Sequence, residues 1–219
     1  MLGWILDKLF PPRCVLCRKF LKKKDTDICP RCRTQVEEHP KGKEKLQFLD
    51  SWTSVWYYED DVRESLLRFK FSGARHYAST YGRLLATKLL MEYPQGFDVL
   101  TWVPISAARK RSRGYDQGQL LAEAVSVHMQ IPYIQTLKKI KHNSPQSTMG
   151  DVSHRRANVA GVYECLCPET VQGKRILLLD DILTTGATAG ECARVLLSAG
   201  AKQVHCGVVA AKRRKNNLK

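Results

Sequence analysis

The sequence predicts an α/β protein: a mostly parallel sheet flanked by helices, with a small N-terminal four-cysteine module of zinc-ribbon type. Three observations carry that expectation. Four aliphatic residues, Ile176 to Leu179, lead into an acid pair, a Thr/Gly turn, a helical stretch and a second apolar strand near 203–210, which together make a βαβ unit. Another apolar stretch, Phe97–Ile105, runs straight into a cluster of cations. Near the start, two Cys-x-x-Cys pairs stand at metal-ligand spacing.

Length and charge set the frame. A chain of 219 residues holds one α/β domain, here 51–219, plus an appendage, 1–50. Its 43% hydrophobic and 26% charged residues are those of a globular chain. No run approaches the roughly 18 uncharged apolar residues of a membrane helix. Asp7 and Lys8 interrupt the apolar start, so residues 1–10 are expected as an amphipathic helix and not an export signal, and the cytoplasm as the location. The net charge of +15 asks for an anionic partner, either a phosphorylated ligand or nucleic acid.

Eight cysteines without an export signal argue against a disulfide framework. Each of the pairs Cys14/Cys17 and Cys29/Cys32 can fold into a knuckle that aims two thiolates at one point. Two knuckles complete a closed tetrahedral site for a structural Zn²⁺. Arg13, Arg18, Arg31 and Arg33 offset the charge of such a centre. Cys165 and Cys167 are read as unrelated to it. The stretch from His39 to Lys45 is the expected linker.

The main domain follows in order. Trp52–Tyr58 is β-prone and aromatic, and Val62–Phe71 has one apolar helical face. Lys70 and Arg75 fall near a polar break and are expected at the surface. A second helix runs from about Tyr77 to Met91. After the strand 97–105 come Arg109, Lys110, Arg111 and Arg113, four cations in nine residues with no acid. A helix from about Gln117 to Met129 is expected to turn Leu120, Leu121, Ala124 and Val127 inward, and Ile131–Ile134 reads as a short strand. From Leu137 to Gly161 the chain turns polar and loses its period, as a functional or solvated loop does. After Ile176–Thr188, a helix from Ala189 to Ala199 ends at Gly200.

The chemistry concentrates in Ile176–Thr188. Ligands of open α/β sheets bind just outside the carboxyl ends of strands. A turn holding Thr184, Thr185, Gly186, Ala187 and Thr188 at a helix start offers backbone N–H groups and hydroxyls to a phosphate. Asp180 and Asp181 would repel that phosphate but suit a neighbouring polyol or a hydrated Mg²⁺. A phosphate beside vicinal hydroxyls is a ribose 5-phosphate.

This run closely resembles the phosphoribosyl pyrophosphate (PRPP) motif of type I phosphoribosyltransferases. The resemblance implies the type I phosphoribosyltransferase fold, with Mg²⁺ bound alongside PRPP. It gives Asp180 and Asp181 the ribose hydroxyls, and Thr184 through Thr188 the 5′-phosphate. The loop after the first core strand holds pyrophosphate in that family, which makes Arg109, Lys110, Arg111 and Arg113 its candidates, with two of them expected to point inward. A mobile loop closes over PRPP in the same family, and Lys141, Gln146, Arg155, Arg156 and Asn158 are its candidates here. Together with the four-cysteine module, the sequences Arg113-Gly-Tyr-Asp-Gln117 and Arg155-Arg-Ala-Asn-Val-Ala-Gly161 resemble the ComF family. That resemblance implies a role in natural competence, a link to single-stranded DNA and a helicase-type protein partner. One departure matters: nucleobase-salvage relatives carry a third acid where this chain has Thr184, so general acid–base help is missing there.

Overall fold

The computed structural model describes residues 11–22, 25, 27–40, 42, 45–141 and 161–213. The first half comprises α1 (Pro30–Gln35), β1 (Ser51–Tyr57), α2 (Asp60–Phe71), α3 (Tyr77–Glu92), β2 (Val99–Trp102), α4 (Ala107–Arg113) and α5 (Gln117–Met129). The second half comprises β3 (Leu137–Lys139), β4 (Tyr163–Cys165), α6 (Pro168–Val171), β5 (Arg175–Leu183), α7 (Ala187–Ser198) and β6 (Gln203–Ala211). Four strands form a wholly parallel sheet in the order β1-β6-β5-β2, while β3 and β4 make a separate antiparallel pair.

Both faces of the parallel sheet are covered, as its near-continuous apolar strands require. Along β5 the side chains alternate. Leu177 and Leu179 face α2, α3 and α5, whereas Ile176 and Leu178 face α7 and the β3/β4 pair. Helix α4, which follows β2, is capped at both ends. Ser106 accepts the Arg109 N–H and starts α4, and Gly114 ends it at φ +74°.

The cysteine knuckles pack into this core. Cys14, Val15, Leu16, Ile28, Cys29 and Cys32 belong to one apolar cluster with Leu66, Phe69 and Tyr81. Polar bonds fix the docking: the Ser65 hydroxyl donates to the Val15 carbonyl, and the Arg68 guanidinium to those of Val15 and Leu16. Asp27 accepts from Thr80 at 2.7 Å and pairs with Arg83. The residues just after the expected linker pack on the main domain as well, with Leu46 over Gly186 and the Gln47 carbonyl over Gly190.

Four expectations change. Strand β5 does not stop at the acid pair but continues to Leu183, because β6 keeps pairing with it through Ala211. The basic run after β2 is a short helix and not an open loop. On α5 the buried stripe is Leu121, Ala122, Val125 and Met129, which leaves Val127 73% exposed. Residues 131–134 form no strand and meet β2 through the isolated Leu100–Tyr133 bridge and a Tyr133–Trp102 ring contact. The expected helix over 1–10 lies outside the described residues. No helix among the described residues is long and apolar enough to cross a membrane.

Candidate functional site

At the carboxyl ends of β2 and β5 lies a cleft of about 380 Å³. Its floor is the acid pair. Adjacent strand residues point to opposite faces, so Asp181 turns toward α2 and Asp180 toward the β3/β4 pair. Asp181 is almost fully buried and meets Lys70 Nζ at 2.9 Å through Oδ1. Its Oδ2 is buried with no hydrogen-bond partner. The Asp180 carboxylate accepts the Asp181 N–H at 2.8 Å. Asp180 keeps an opening to the cleft but is closed in elsewhere. Burial first, and the Asp181 carboxylate second, push its carboxyl up to about 8, with Lys70 opposing.

Cations ring the acids. Arg109 and Arg113 line the cleft, one helical turn apart on α4. That i, i+4 spacing explains why two of the four clustered cations face inward: Lys110 instead bonds Gln119 at 3.3 Å, and Arg111 is exposed and does not line the cleft. Arg113 lies over the Phe71 ring at 4.7 Å, and burial holds its guanidinium below the usual value, opposed by Asp181. From the other wall come Lys139 and Tyr163, which stack at 5.6 Å. Burial, then Arg109, lower the Lys139 ammonium. Burial raises the Tyr163 phenol.

The segment 113–119 is built to hold these groups. The left-handed turn at Gly114 brings its backbone against Arg75, where a Cβ would meet the guanidinium at 2.8 Å. The Tyr115 hydroxyl donates to the Phe69 carbonyl at the end of α2. Asp116 caps α5 through the N–H groups of Gly118 and Gln119, and also receives that of Ile105 at 3.4 Å. Gln117 then reaches the cleft, with its Oε1 buried and unpartnered.

The phosphate-loop candidates divide between two places. Thr184 and Thr188 line the cleft. Thr185, Gly186 and Ala187 line a small cavity of about 70 Å³ against Leu46, Gln47 and Phe48. Gly186 caps α7 at φ +79°, and the hydroxyl of Thr185 accepts the Ala187 N–H at 3.3 Å. Of the lid candidates, Lys141 is exposed and does not line the cleft. Gln146, Arg155, Arg156 and Asn158 lie outside the described residues.

Four residues of the cleft, Lys70, Lys139, Tyr163 and Gln117, are not marked as site residues by the sequence. Lys70, expected at the surface, turns inward because α2 ends over the acid pair. Lys139 carries a usable signal: it lies two residues from buried Leu137, on the same face of β3. Arg75 is exposed as expected, donating to the Gly114 carbonyl at 3.1 Å.

The cysteine site is of another kind. The sulfurs of Cys14, Cys17, Cys29 and Cys32 all lie within 4.8 Å of one another, and Cys17 and Cys29 approach to 3.6 Å. Zn–S bonds of about 2.3 Å put tetrahedral sulfurs about 3.8 Å apart, so the four thiols fit Zn²⁺. Cys165 and Cys167 are not part of the cluster.

Residues 115–219 match the phosphoribosyl transferase domain family, and residues 5–43 match the double zinc ribbon domain family. Competence protein ComFC of Bacillus subtilis is 31% identical over 199 residues, spanning 85% of this chain and 78% of the relative. Competence protein F of Haemophilus influenzae is 25% identical over 88% of this chain and 93% of its own length. DNA utilization protein YhgH of Escherichia coli K12 is 26% identical over 87% and 86%. A glutamine PRPP amidotransferase structure from B. subtilis superposes with a TM-score of 0.42 at 24% identity, covering 60% of this chain and 26% of that one. The zinc ribbon, the phosphoribosyltransferase domain and the shared length agree: this chain belongs to the ComF family.

Proposed function

We propose that the cleft binds PRPP and that the chain transfers its phosphoribosyl group to an acceptor, releasing pyrophosphate. The observation that carries this reading is the acid pair at the end of β5, faced by Lys70, Arg109, Arg113 and Lys139. Asp181 Oδ2 and Gln117 Oε1 are buried acceptors without donors, which ribose hydroxyls would supply. Arg109 and Arg113 offer paired N–H groups to pyrophosphate. The start of α7 offers backbone N–H groups to the 5′-phosphate.

In the reaction the acceptor forms a bond to ribose C1 while the bond from C1 to the pyrophosphate oxygen breaks. Its electron pair leaves with pyrophosphate, and the acceptor's proton passes to solvent. The guanidinium groups of α4 stabilise the charge gathering on the leaving group. Mg²⁺, when bound, would add to that neutralisation. The donor set fits Mg²⁺ carried on the pyrophosphate better than Mg²⁺ chelated by the acids, because they point to opposite faces of β5 and Asp181 Oδ1 is already paired. Thr184 offers no carboxylate to take a proton, so an amine acceptor suits this cleft better than a purine base.

That same threonine favours a second reading, in which the cleft senses PRPP without catalysis and the +15 chain handles single-stranded DNA. The competence and DNA utilization names of the relatives agree with it. Calorimetry of PRPP binding to wild type and to Asp180→Asn/Asp181→Asn tests the shared step. Equal affinities would remove the site assignment. Pyrophosphate release with an amine or nucleobase then favours transfer, whereas DNA affinity falling steeply with salt favours the binding factor.

A further inference from the structure

We propose that Lys70 is the resident counter-cation of Asp181, doing there what a divalent ion would otherwise do, so that a phosphorylated ribose binds with no metal at that carboxylate. This rests on the phosphorylated-ribose reading of the cleft. The Lys70–Asp181 pair is no rim contact: at 2.9 Å, its side chains are 20% and 4% exposed. A pair so removed from water is screened far less than a surface ion pair. An ammonium has three donors. One is spent on Asp181 Oδ1, which leaves two for the oxygens of a ligand held beside it.

The acids offer a divalent ion little in return. Mg²⁺ demands near-octahedral oxygen coordination at about 2.1 Å. The Asp180 carboxylate already takes the Asp181 N–H, and Asp181 Oδ1 takes Lys70, so Asp181 Oδ2 is the atom left buried and unpartnered. The charged groups lining the cleft are Lys70, Arg109, Arg113 and Lys139 against Asp180 and Asp181, a surplus of positive charge before any ion arrives. Lys70 is also firmly placed. Its helix is tied to the first cysteine knuckle by Ser65 and Arg68, and its last turn to the segment after α4 by the Tyr115–Phe69 bond.

Titration calorimetry on the full zinc-loaded chain tests this, with ribose 5-phosphate and PRPP as probes. Each is measured in buffer made from magnesium-free salts, without a chelator that would take the zinc, and again with Mg²⁺ added. Wild type is expected to bind ribose 5-phosphate with affinities within about threefold of each other in the two buffers. Lys70→Met is expected to lose at least about tenfold in magnesium-free buffer and to regain most of it with Mg²⁺. Lys70→Arg keeps the charge and should keep magnesium-free binding. Wild-type binding that needs Mg²⁺, or Lys70→Met behaving as wild type, overturns the proposal while leaving the phosphorylated-ribose reading in place. If wild type binds neither probe in either buffer, the ribose reading itself fails and takes the proposal with it. The wild-type comparison decides even if Lys70→Met does not fold.

Discussion

The cysteine knuckles and the acid-pair cleft are both clusters of like groups, yet the protein treats them in opposite ways. Around the knuckles every ligand is one of a closed set of four, mostly buried, with sulfurs close enough for one ion. At the cleft the acids diverge across the sheet, a lysine intervenes, and buried acceptors are left without donors. A closed tetrahedral set leaves no coordination position for chemistry, so its free energy goes into the fold. Unfilled acceptors cost stability until a ligand arrives, which is how a binding site differs from a structural one. Helix α2 joins the two, with Arg68 bonded to the knuckle and Lys70 to the acid.

The widest separation between the two regions should come from removing the metal. Chelation, or Cys32→Ser, withdraws binding energy that reaches about 10–16 kcal/mol for isolated zinc-finger peptides. Because the knuckles share a core with α2 and α3, the loss should spread beyond residues 11–40 and lower the melting temperature of the whole chain by more than about 10 °C. A calorimetric scan showing a main transition unmoved by zinc removal would mean that the two regions are independent. A smaller effect of the same kind is expected of Arg68→Met, which takes the side-chain donor from the Leu16 carbonyl and leaves that of Val15 to Ser65, at a cost of about 1–3 kcal/mol. Its urea midpoint should drop with zinc content retained; an unchanged midpoint would show that the docking bonds carry no weight.

What is legible from sequence differs between the regions for a physical reason. Metal-ligand spacing is local, so Cys14, Cys17, Cys29 and Cys32 announce themselves within twenty residues. The strands and helices of the main domain are legible too, since period-2 and helical patterns are written along the chain. The acid pair and Thr/Gly turn are equally local. Lys70 is not, because it is an ordinary lysine until the fold brings α2 to the end of β5, and Lys139 shows only its place on the face of β3 that buries Leu137. The division of the four basic residues needs one more fact, that residues 107–113 are helical; as a loop they give no rule for choosing two. Val127 is misplaced by following the wrong stripe of α5.

Helix α4 supplies the next contrast, within the cleft wall itself. Arg109→Ala and Arg113→Ala should each weaken pyrophosphate binding by about tenfold, roughly 1.4 kcal/mol, through loss of a charge-assisted hydrogen bond. Lys110→Ala and Arg111→Ala, matched for charge, should change it by less than about twofold beyond the general salt effect. Calorimetry with inorganic pyrophosphate at two salt concentrations separates local contact from bulk charge. Four equal losses would show that the helix acts as a diffuse positive field and not as two placed forks.

The smallest expected effect belongs to Asp116, and it tests whether the cleft wall is positioned by a cap or by a charge. Its carboxylate accepts the N–H groups of Gly118, Gln119 and Ile105, so one side chain starts α5 and holds the turn that leads to α4. Burial raises its carboxyl above the usual range, ahead of the hydrogen bonds that lower it. An uncharged acceptor should therefore serve nearly as well. Asp116→Asn keeps an oxygen for the cap and should lose only a few tenths of a kcal/mol, whereas Asp116→Ala should lose about 1 kcal/mol. Pyrophosphate affinity should follow the same order, because Arg109 is placed by the turn that Asp116 braces. If Asn proved as damaging as Ala, the negative charge itself would be what the wall requires, and Lys110, whose positive charge favours the ionised Asp116, would be the partner to examine.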